Sequence, residues 1–373
     1  MELLQALTKS FHKVELMNNT NKDFPHITNN GEWLTHQNGH WTGGFWTGLQ
    51  WLRSFYDDNS NLVREDALKW AKRFRSRIGD NKTHDMGFIF GPSCLLGYRI
   101  QHDQELLELA EHGAKNMSDL FEERIGLILA WNELGYEGNA IVDTIMNLPL
   151  MVWVAEQTGN TEYAKIANRV ADQILKFHVR PNHSIYHMIK WDPKTFEIIE
   201  KTTHQGYKPE TCWSRGQAWA LYGFANMARY TQNQKYLDAS QKLADYFWNH
   251  LDTELHLPRW DFFFKDNTNE PLDSSAGSIA ASGMILLADV LNRNGKIEEA
   301  ALWYHRGETI VSSLIEHCLY TDIRKYGIIE KATVDKPRNS GVGESTMYGD
   351  YYFVEALFRI MNKNNLEMLD LLY

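Results

Sequence analysis

A mainly apolar helix, a polar turn and an amphipathic helix recur in that order along most of the chain. In the third repeat, an uncharged and largely apolar run, residues 144–155, follows Asp143, the turn QTGN comes next, and TEYAKIANRVADQILKFH then places apolar residues at helical spacing. Six apolar segments of this kind occur, at a period of roughly 45–75 residues. Because an all-round apolar helix must be buried, while an amphipathic one can face water, the pattern predicts an all-α fold with an inner layer of helices.

The arrangement of the two helix types favours a closed ring. The sixth apolar segment, which begins at Tyr348, is followed by no convincing amphipathic helix, but residues 1–17 carry the apolar stripe of one. That helix can serve as the missing outer helix. We therefore predict an (α/α)6 barrel of six inner and six outer helices, in a single domain of residues 1–373. An open α-solenoid uses similar hairpins but gives no reason for a lone outer helix at one end and a lone inner helix at the other.

Charge and composition exclude several classes of function. The net charge is -10, so we expect no nucleic-acid partner. We also expect a cytoplasmic protein without membrane contact, because there is neither a signal-peptide pattern nor a run of eighteen apolar residues. The cysteines Cys94, Cys212 and Cys318 are far apart and have no CxxC spacing, which predicts reduced core residues.

The residues at the start of each inner helix are the candidates for function. In a closed barrel these helices run in one direction, so their N-terminal ends meet around one pocket and favour an anionic ligand. Carboxylates, an arginine, histidines and Trp rings are the groups that sugar chemistry uses. The candidates at the helix starts are Trp41, Trp46, His84, Asp85, Asp143, Arg215, Trp219, Ser274, Ser275 and Asp350, and the neighbouring loops add Trp131, His187, His204 and Gln205.

Several of these candidates also have a purely structural interpretation. Asp143 can simply cap its helix. A Trp in an apolar helix is more often a core residue, which we expect for Trp46 and Trp51, and His26 is interpreted as a surface residue. We expect neither a metal nor another cofactor at the predicted pocket.

Six motifs in order resemble those of the unsaturated glucuronyl hydrolases of glycoside hydrolase family 88, through essentially the whole chain. The resemblance implies an (α/α)6 barrel that acts on oligosaccharides left by polysaccharide lyases, which carry a 4,5-unsaturated uronic acid at the non-reducing end. The motifs are WTGGFWTG (41–48), HDMGF (84–88), IVDTIMNLPL (141–150) with its EQTG turn, SIYH (184–187) followed by THQG (203–206), WSRGQAW (213–219) and GDYYFVEALFR (349–359).

The same resemblance implies the roles of individual residues. Asp143 corresponds to the general acid and base, and Asp85 to the carboxylate that assists it. The implied reaction is hydration of the C4=C5 enol ether of an unsaturated oligosaccharide of glycosaminoglycan type, by a monomer or homodimer. The implied substrate-binding residues are Trp41, His84, Trp131, His187, Gln205, Arg215 and Trp219.

Departures from the family pattern leave the preferred polysaccharide open. The segment 330–347 lacks the Ser/Lys cluster that sulfate-tolerant relatives carry, and Tyr348 stands where Trp is usual. The nearest alternative is an unsaturated rhamnogalacturonyl hydrolase, which performs the same reaction on pectin fragments. A sugar 2-epimerase on this barrel would need paired histidines as bases, whereas a non-catalytic sugar-binding protein would need only the aromatic rings and the arginine.

Overall fold

The computed structural model describes residues 2–57, 60–267, 269–320, 322 and 327–372. Its helices form two layers. The inner layer consists of α2 (Gly43–Arg53), α4 (Met86–Phe90) continued by α5 (Leu96–Gln101), α7 (Leu148–Thr158), α9 (Ser214–Thr231), α11 (Ser274–Arg293) and α13 (Met347–Met361). The outer layer consists of α1 (Leu3–Thr20), α3 (Ser60–Lys72), α6 (Gln104–Asp119), α8 (Thr161–Phe177), α10 (Gln234–Asn249) and α12 (Ile297–His317), and a short helix, α14 (Leu366–Leu371), follows α13.

The inner helices close into a ring. Each packs against the next, and α13 packs against α2. Helix α1 contacts both α13 and α2, so the first helix of the chain completes the outer layer beside the last inner helix. The predicted (α/α)6 barrel, including the role of residues 1–17, is confirmed.

Burial follows the two helix types. Every residue of α2 is buried, whereas α8 buries only one stripe, which includes Ala167, Val170 and Ile174. Among the described residues, α11 alone is long and apolar enough to cross a membrane, but 94% of the stretch that qualifies is buried inside the barrel. Its composition is therefore explained by a position in the core.

The turns from inner to outer helix share one construction in three repeats. The inner helix ends at a residue in the left-handed conformation, and the next residue accepts a backbone N–H bond that caps the outer helix. The pairs are His102 (φ 54°) with Asp103, Gly159 (φ 76°) with Asn160, and Gln232 (φ 55°) with Asn233.

Two inner helices depart from the uniform helices that the sequence predicts. A π-helical turn, Gly91–Leu95, separates α4 from α5 and contains Pro92, which has no N–H to donate. The carbonyl of Ser93 in this turn accepts the indole N–H of Trp51 at 2.8 Å. A 3₁₀ turn, Val142–Met146, precedes α7.

Short strands form the loops at the N-terminal ends of the inner helices. All of them pair antiparallel. Three are two-stranded sheets: β1 (Phe24–Asn29) with β2 (Glu32–His36), β3 (Phe121–Glu122) with β4 (Leu127–Ile128), and β8 (Ala332–Asp335) with β9 (Ser340–Glu344). The fourth sheet has three strands, in which β6 (Met188–Trp191) lies between β5 (Asn139–Ile141) and β7 (Ile198–Thr202). The strand-like segments that the sequence predicts after the third repeat are confirmed as β6 and β7. Strand β5, which pairs with β6, was not predicted.

The three cysteines are buried and free, as predicted. At the opposite end of the barrel from the β hairpins, the residues after α13 lie across the last turns of α5 and α9. Arg99 and Arg229 both donate to the carbonyl oxygen of Leu372, each at 2.9 Å. Side chains that end two inner helices thus hold the last described segment in place.

Candidate active site

Asp143 lies in the 3₁₀ turn between β5 and α7, at the open end of the barrel. The N-cap positions of this turn and of α7 are Ile141 and Asn147, and among the described residues no hydrogen bond reaches Oδ2 of Asp143, which is buried. Asp143 therefore lies inside the first turn and not at an N-cap position. Burial raises the pKa of this carboxyl to about 7, the nearby charge of Asp85 raises it too, and Arg215 opposes the shift.

Asp85 stands directly before α4, and 14% of its side chain is exposed, close to the 12% of Asp143. Its Oδ2 accepts the hydroxyl hydrogen of Thr83 at 2.6 Å, and its Oδ1 lies 3.3 Å from Nε2 of His84. The two predicted acid–base carboxylates are thus brought to one site, in different environments.

His84 and Thr144 link the two helix starts that carry these carboxylates. His84 is 1% exposed, and its Nδ1 lies 2.7 Å from the hydroxyl of Thr144. Burial lowers the pKa of His84, against the opposing charge of Asp85, so the imidazole is neutral at neutral pH. Thr144 follows Asp143 directly and was not among the predicted site residues.

His187 comes directly before β6 and faces Asp143. Its Nδ1 accepts the backbone N–H groups of His204 at 3.1 Å and Gln205 at 3.4 Å, and its ring stacks on Trp213. Its Nε2 lies 3.5 Å from Oδ2 of Asp143. Burial holds the pKa of His187 well below its usual value, so this imidazole is also neutral, with its hydrogen on the nitrogen that faces the carboxyl.

Arg215, predicted as a substrate contact, is already bound within the protein. Its NH1 donates to Oδ2 of Asp273 at 2.6 Å and to the carbonyl of Thr333 at 2.7 Å, and its NH2 donates to the carbonyl of Val334 at 2.6 Å. Because Asp273 is fully buried and offsets the charge, the arginine is not a free anion clamp. Asp273 stands directly before α11 and was not among the predicted site residues.

The predicted aromatic residues differ in their exposure. Trp41 is half-buried and stacks on Tyr348 with ring centroids 5.0 Å apart, so part of its face is open. Trp219 is only 1% exposed and packs against Phe88, which leaves little of its ring for a sugar. Trp131 is half-buried and lies against the ring of His204.

Other predicted residues have structural roles. Gln205 donates its side-chain N–H to the carbonyl of Val334 at 2.9 Å, which ties its loop to β8. Asp350 is buried and accepts the backbone N–H groups of Ile328 and Ile329, and Ser275 donates to Asp273. Trp46 and Trp51 are core residues, as expected, and Ser274 is fully buried.

A histidine cluster beside Trp41 was missed. The rings of three histidines lie with their centroids 4.6–5.3 Å apart, namely His26, His36 and His40. Nδ1 of His26 also lies 2.9 Å from the hydroxyl oxygen of Thr42. Burial lowers the pKa of His26 to about 3, with a further contribution from the two neighbouring rings. The interpretation of His26 as a surface residue is therefore wrong. His36 and His40 have the HxxxH spacing, a signal in the sequence that was overlooked, whereas the β1–β2 hairpin brings His26 to them.

Comparison with known proteins gives a family and close relatives. The model of Glycosyl Hydrolase Family 88 matches residues 13–288. The chain is similar to an unsaturated chondroitin disaccharide hydrolase of Streptococcus pneumoniae, with 30% identity over 98% of this chain and 93% of the relative.

Solved structures of similar fold belong to the same group of enzymes. The unsaturated glucuronyl hydrolase of Bacillus sp. GL1, described as responsible for the degradation of glycosaminoglycan, superposes with a TM-score of 0.91 at 28% identity, over 97% of both chains. An unsaturated glucuronyl hydrolase of Streptococcus agalactiae in complex with dGlcA-GalNAc6S gives a TM-score of 0.81 at 27% identity, over 96% of this chain and 91% of that chain.

Proposed function

The chain belongs to Glycosyl Hydrolase Family 88, and from this premise we propose that it releases 4,5-unsaturated glucuronic acid from the non-reducing end of lyase-generated glycosaminoglycan fragments. The observation that carries the mechanism is the buried Asp143, whose pKa of about 7 lets a carboxyl hold a proton near neutral pH. An enol ether needs such an acid before water can add to it.

In the first step, protonated Asp143 gives its proton to C4 of the unsaturated sugar. The positive charge that results is shared between C5 and the ring oxygen. The negative charge of Asp85 has two effects. Before the reaction it favours the protonated form of Asp143, and during the reaction it stabilises the positive charge that develops nearby on the sugar.

In the second step, ionised Asp143 takes a proton from the water that adds at C5. The product is a hemiketal, which opens and releases the rest of the oligosaccharide. Nε2 of His187 lies 3.5 Å from Oδ2 of Asp143 without a hydrogen bond between them in this structure, and a small approach brings its N–H within reach of the ionised carboxylate between the two steps. A single carboxyl thus acts as acid and then as base.

Substrate binding is assigned to the open faces at the same end of the barrel. Trp41 and Trp131 are half-exposed rings that can stack on sugars. Arg215 and Trp219 are buried behind them and support the site, Arg215 by fixing β8 to α9. This revises the direct contacts that the family resemblance implies for these two residues.

Isotope labelling tests this mechanism. The enzyme is incubated with an unsaturated chondroitin disaccharide, and loss of the near-UV absorbance of the double bond reports turnover. In heavy water, deuterium should appear at C4 of the released keto acid, and in oxygen-18 water the label should appear at C5. Solvent oxygen at C1 alone, without deuterium at C4, would show an ordinary glycosidase mechanism. No turnover of any unsaturated uronide would refute the proposed function.

A further inference from the structure

Each predicted acid–base carboxyl faces one buried histidine. Asp143 faces Nε2 of His187, and Asp85 faces Nε2 of His84. In His187, the Nδ1 atom is occupied by backbone N–H donors, which no side-chain substitution removes. In His84, the Nδ1 atom is occupied by a single side-chain hydroxyl, that of Thr144 at 2.7 Å.

The hydrogen positions around His84 follow from the chemistry of its partners. The ring is buried and neutral, so it carries one N–H. The carboxylate of Asp85 only accepts, which places that hydrogen on Nε2, and Nδ1 must then accept the hydroxyl hydrogen of Thr144. The carboxylate and the hydroxyl therefore fix the tautomer together, and the hydroxyl also fixes the orientation of the ring.

We propose that Thr144 is a positioning residue, whose hydroxyl holds the Nε2–H of His84 on Asp85 and so keeps this carboxylate in place beside Asp143. The inference rests on the proposed function, in which Asp143 must be protonated at the start of the reaction. It gives Thr144 a role in the protonation of Asp143 without any contact to the substrate.

Other hydrogen bonds fix the distance between the start of α4 and the 3₁₀ turn that carries Asp143. Asn147 accepts the backbone N–H of Phe88 at 2.8 Å and donates to the carbonyl of Asp143 at 3.3 Å. These bonds join the start of α4 to the 3₁₀ turn without using Thr144. Removing the hydroxyl therefore leaves the backbone in place and acts on the His84 ring.

Loss of the hydroxyl has a defined electrostatic consequence. The charged and titratable groups that face Asp143 are Asp85, Arg215 and His187, and Asp85 itself is also influenced by His84 and His40. Without a fixed Nε2–H donor, the carboxylate of Asp85 keeps the bond from Thr83 to its Oδ2 but loses the support at its Oδ1, which then turns away from Asp143 because like charges repel. The repulsion that helps to raise the pKa of Asp143 then becomes weaker.

The test combines a pH profile with a direct measurement of the tautomer. In Thr144→Val, the alkaline limb of the plot of kcat against pH should move to lower pH. If the limb moves by about one pH unit, kcat on the alkaline side falls about tenfold, while kcat on the acid plateau stays unchanged. Thr144→Ser keeps the hydroxyl and should restore the wild-type profile. In the background of His84→Gln, Thr144→Val should cause no further shift of the limb.

Nitrogen-15 histidine spectra of the ligand-free protein report the His84 ring without any turnover, with the signal assigned by its loss in His84→Gln. The spectrum of the wild type should show the Nε2–H tautomer of His84 alone. The spectrum of Thr144→Val should show a mixture of the two tautomers. An unchanged limb, or an equal loss of kcat at every pH, would overturn the proposal. If Thr144→Val does not fold, Thr144→Ala, which adds no volume, replaces it in both measurements. An inactive wild type that still shows the tautomer would refute the function and not the hydrogen-bond assignment.

Discussion

At the scale of single residues, Asp143 must serve two opposite purposes. It starts as an acid and continues as a base, and a pKa near 7 allows both forms to be populated in neutral solution. An exposed aspartate, whose pKa lies near 4, would be an ionised base from the beginning. Burial is therefore part of the catalytic arrangement, since it is the largest cause of the raised pKa.

Asp143→Asn should lower kcat by about 10²- to 10⁴-fold, the usual contribution of a positioned acid–base group. The amide keeps the size of the side chain but carries no acidic proton. Turnover is measured as loss of the double-bond absorbance, and the melting temperature serves as the control for folding. Near wild-type turnover in Asp143→Asn would remove this residue from the mechanism.

The pH profile should have an alkaline limb near pH 7, because kcat requires protonated Asp143 and falls as the pH rises through its pKa. Asp85→Asn removes the like charge and should move the limb to lower pH. The limb should still lie above the usual range for an aspartate, because burial remains. A limb that moves to higher pH in this variant would contradict the assigned sign.

That Asp143 and Asp85 meet at one site could be predicted from the sequence, but the partners of the site residues could not. Asp143 and Asp85 stand at helix starts that the local pattern reveals. Asp273 lies far along the chain from Arg215, and no local rule pairs them. His84 was assigned to the substrate because its bond to Thr144 depends on how two repeats pack against each other.

At the scale of elements, Arg215 connects α9 to β8 and to the start of α11. Arg215→Ala removes the partner of the buried Asp273 and should lower stability by about 3–5 kcal/mol. The double variant Arg215→Ala/Asp273→Ala leaves no unpaired charge and should recover part of that loss. Denaturant unfolding measures both. Equal stability of the wild type and Arg215→Ala would show that this ion pair does not anchor the hairpin.

Which elements could be predicted follows the range of the interactions that form them. The helical hairpins of the first five repeats were predicted, because their apolar spacing and capping residues are local, as in the Gly159 and Asn160 turn. Strand β5 was not, because Asn139 pairs with Lys190 across an intervening helical hairpin. The π-helical turn at 91–95 also escaped, since its bond to Trp51 comes from the preceding repeat.

At the scale of the whole molecule, the ring makes every repeat depend on helix α1. Val14 in α1 is fully buried in the core that runs through the barrel, whereas Lys9 on the same helix is exposed. Val14→Asp places a charge in that core and should lower stability by several kcal/mol, on the order of the cost of burying an unpaired polar group. Helicity and activity should then be lost together at a lower temperature.

Lys9→Asp is the matched control, because it adds the same side chain to the exposed face of α1 and should leave the melting temperature unchanged. If Val14→Asp lost only the signal of α1 while the rest of the barrel melted as in the wild type, the ring would not be one cooperative unit. Circular dichroism and residual activity after heating measure the two quantities side by side.

The contact of α1 with α13 also separates two partners in time during synthesis. Helix α1 packs against an inner helix formed by residues 347–361. At bacterial and eukaryotic rates of translation, the interval between their synthesis is on the order of tens of seconds. During this time α1 and the largely apolar inner helices, α11 among them, have no completed core to enter. The ring therefore closes only after α13 has been synthesised, and until then the buried face of α1 lacks one of its inner partners.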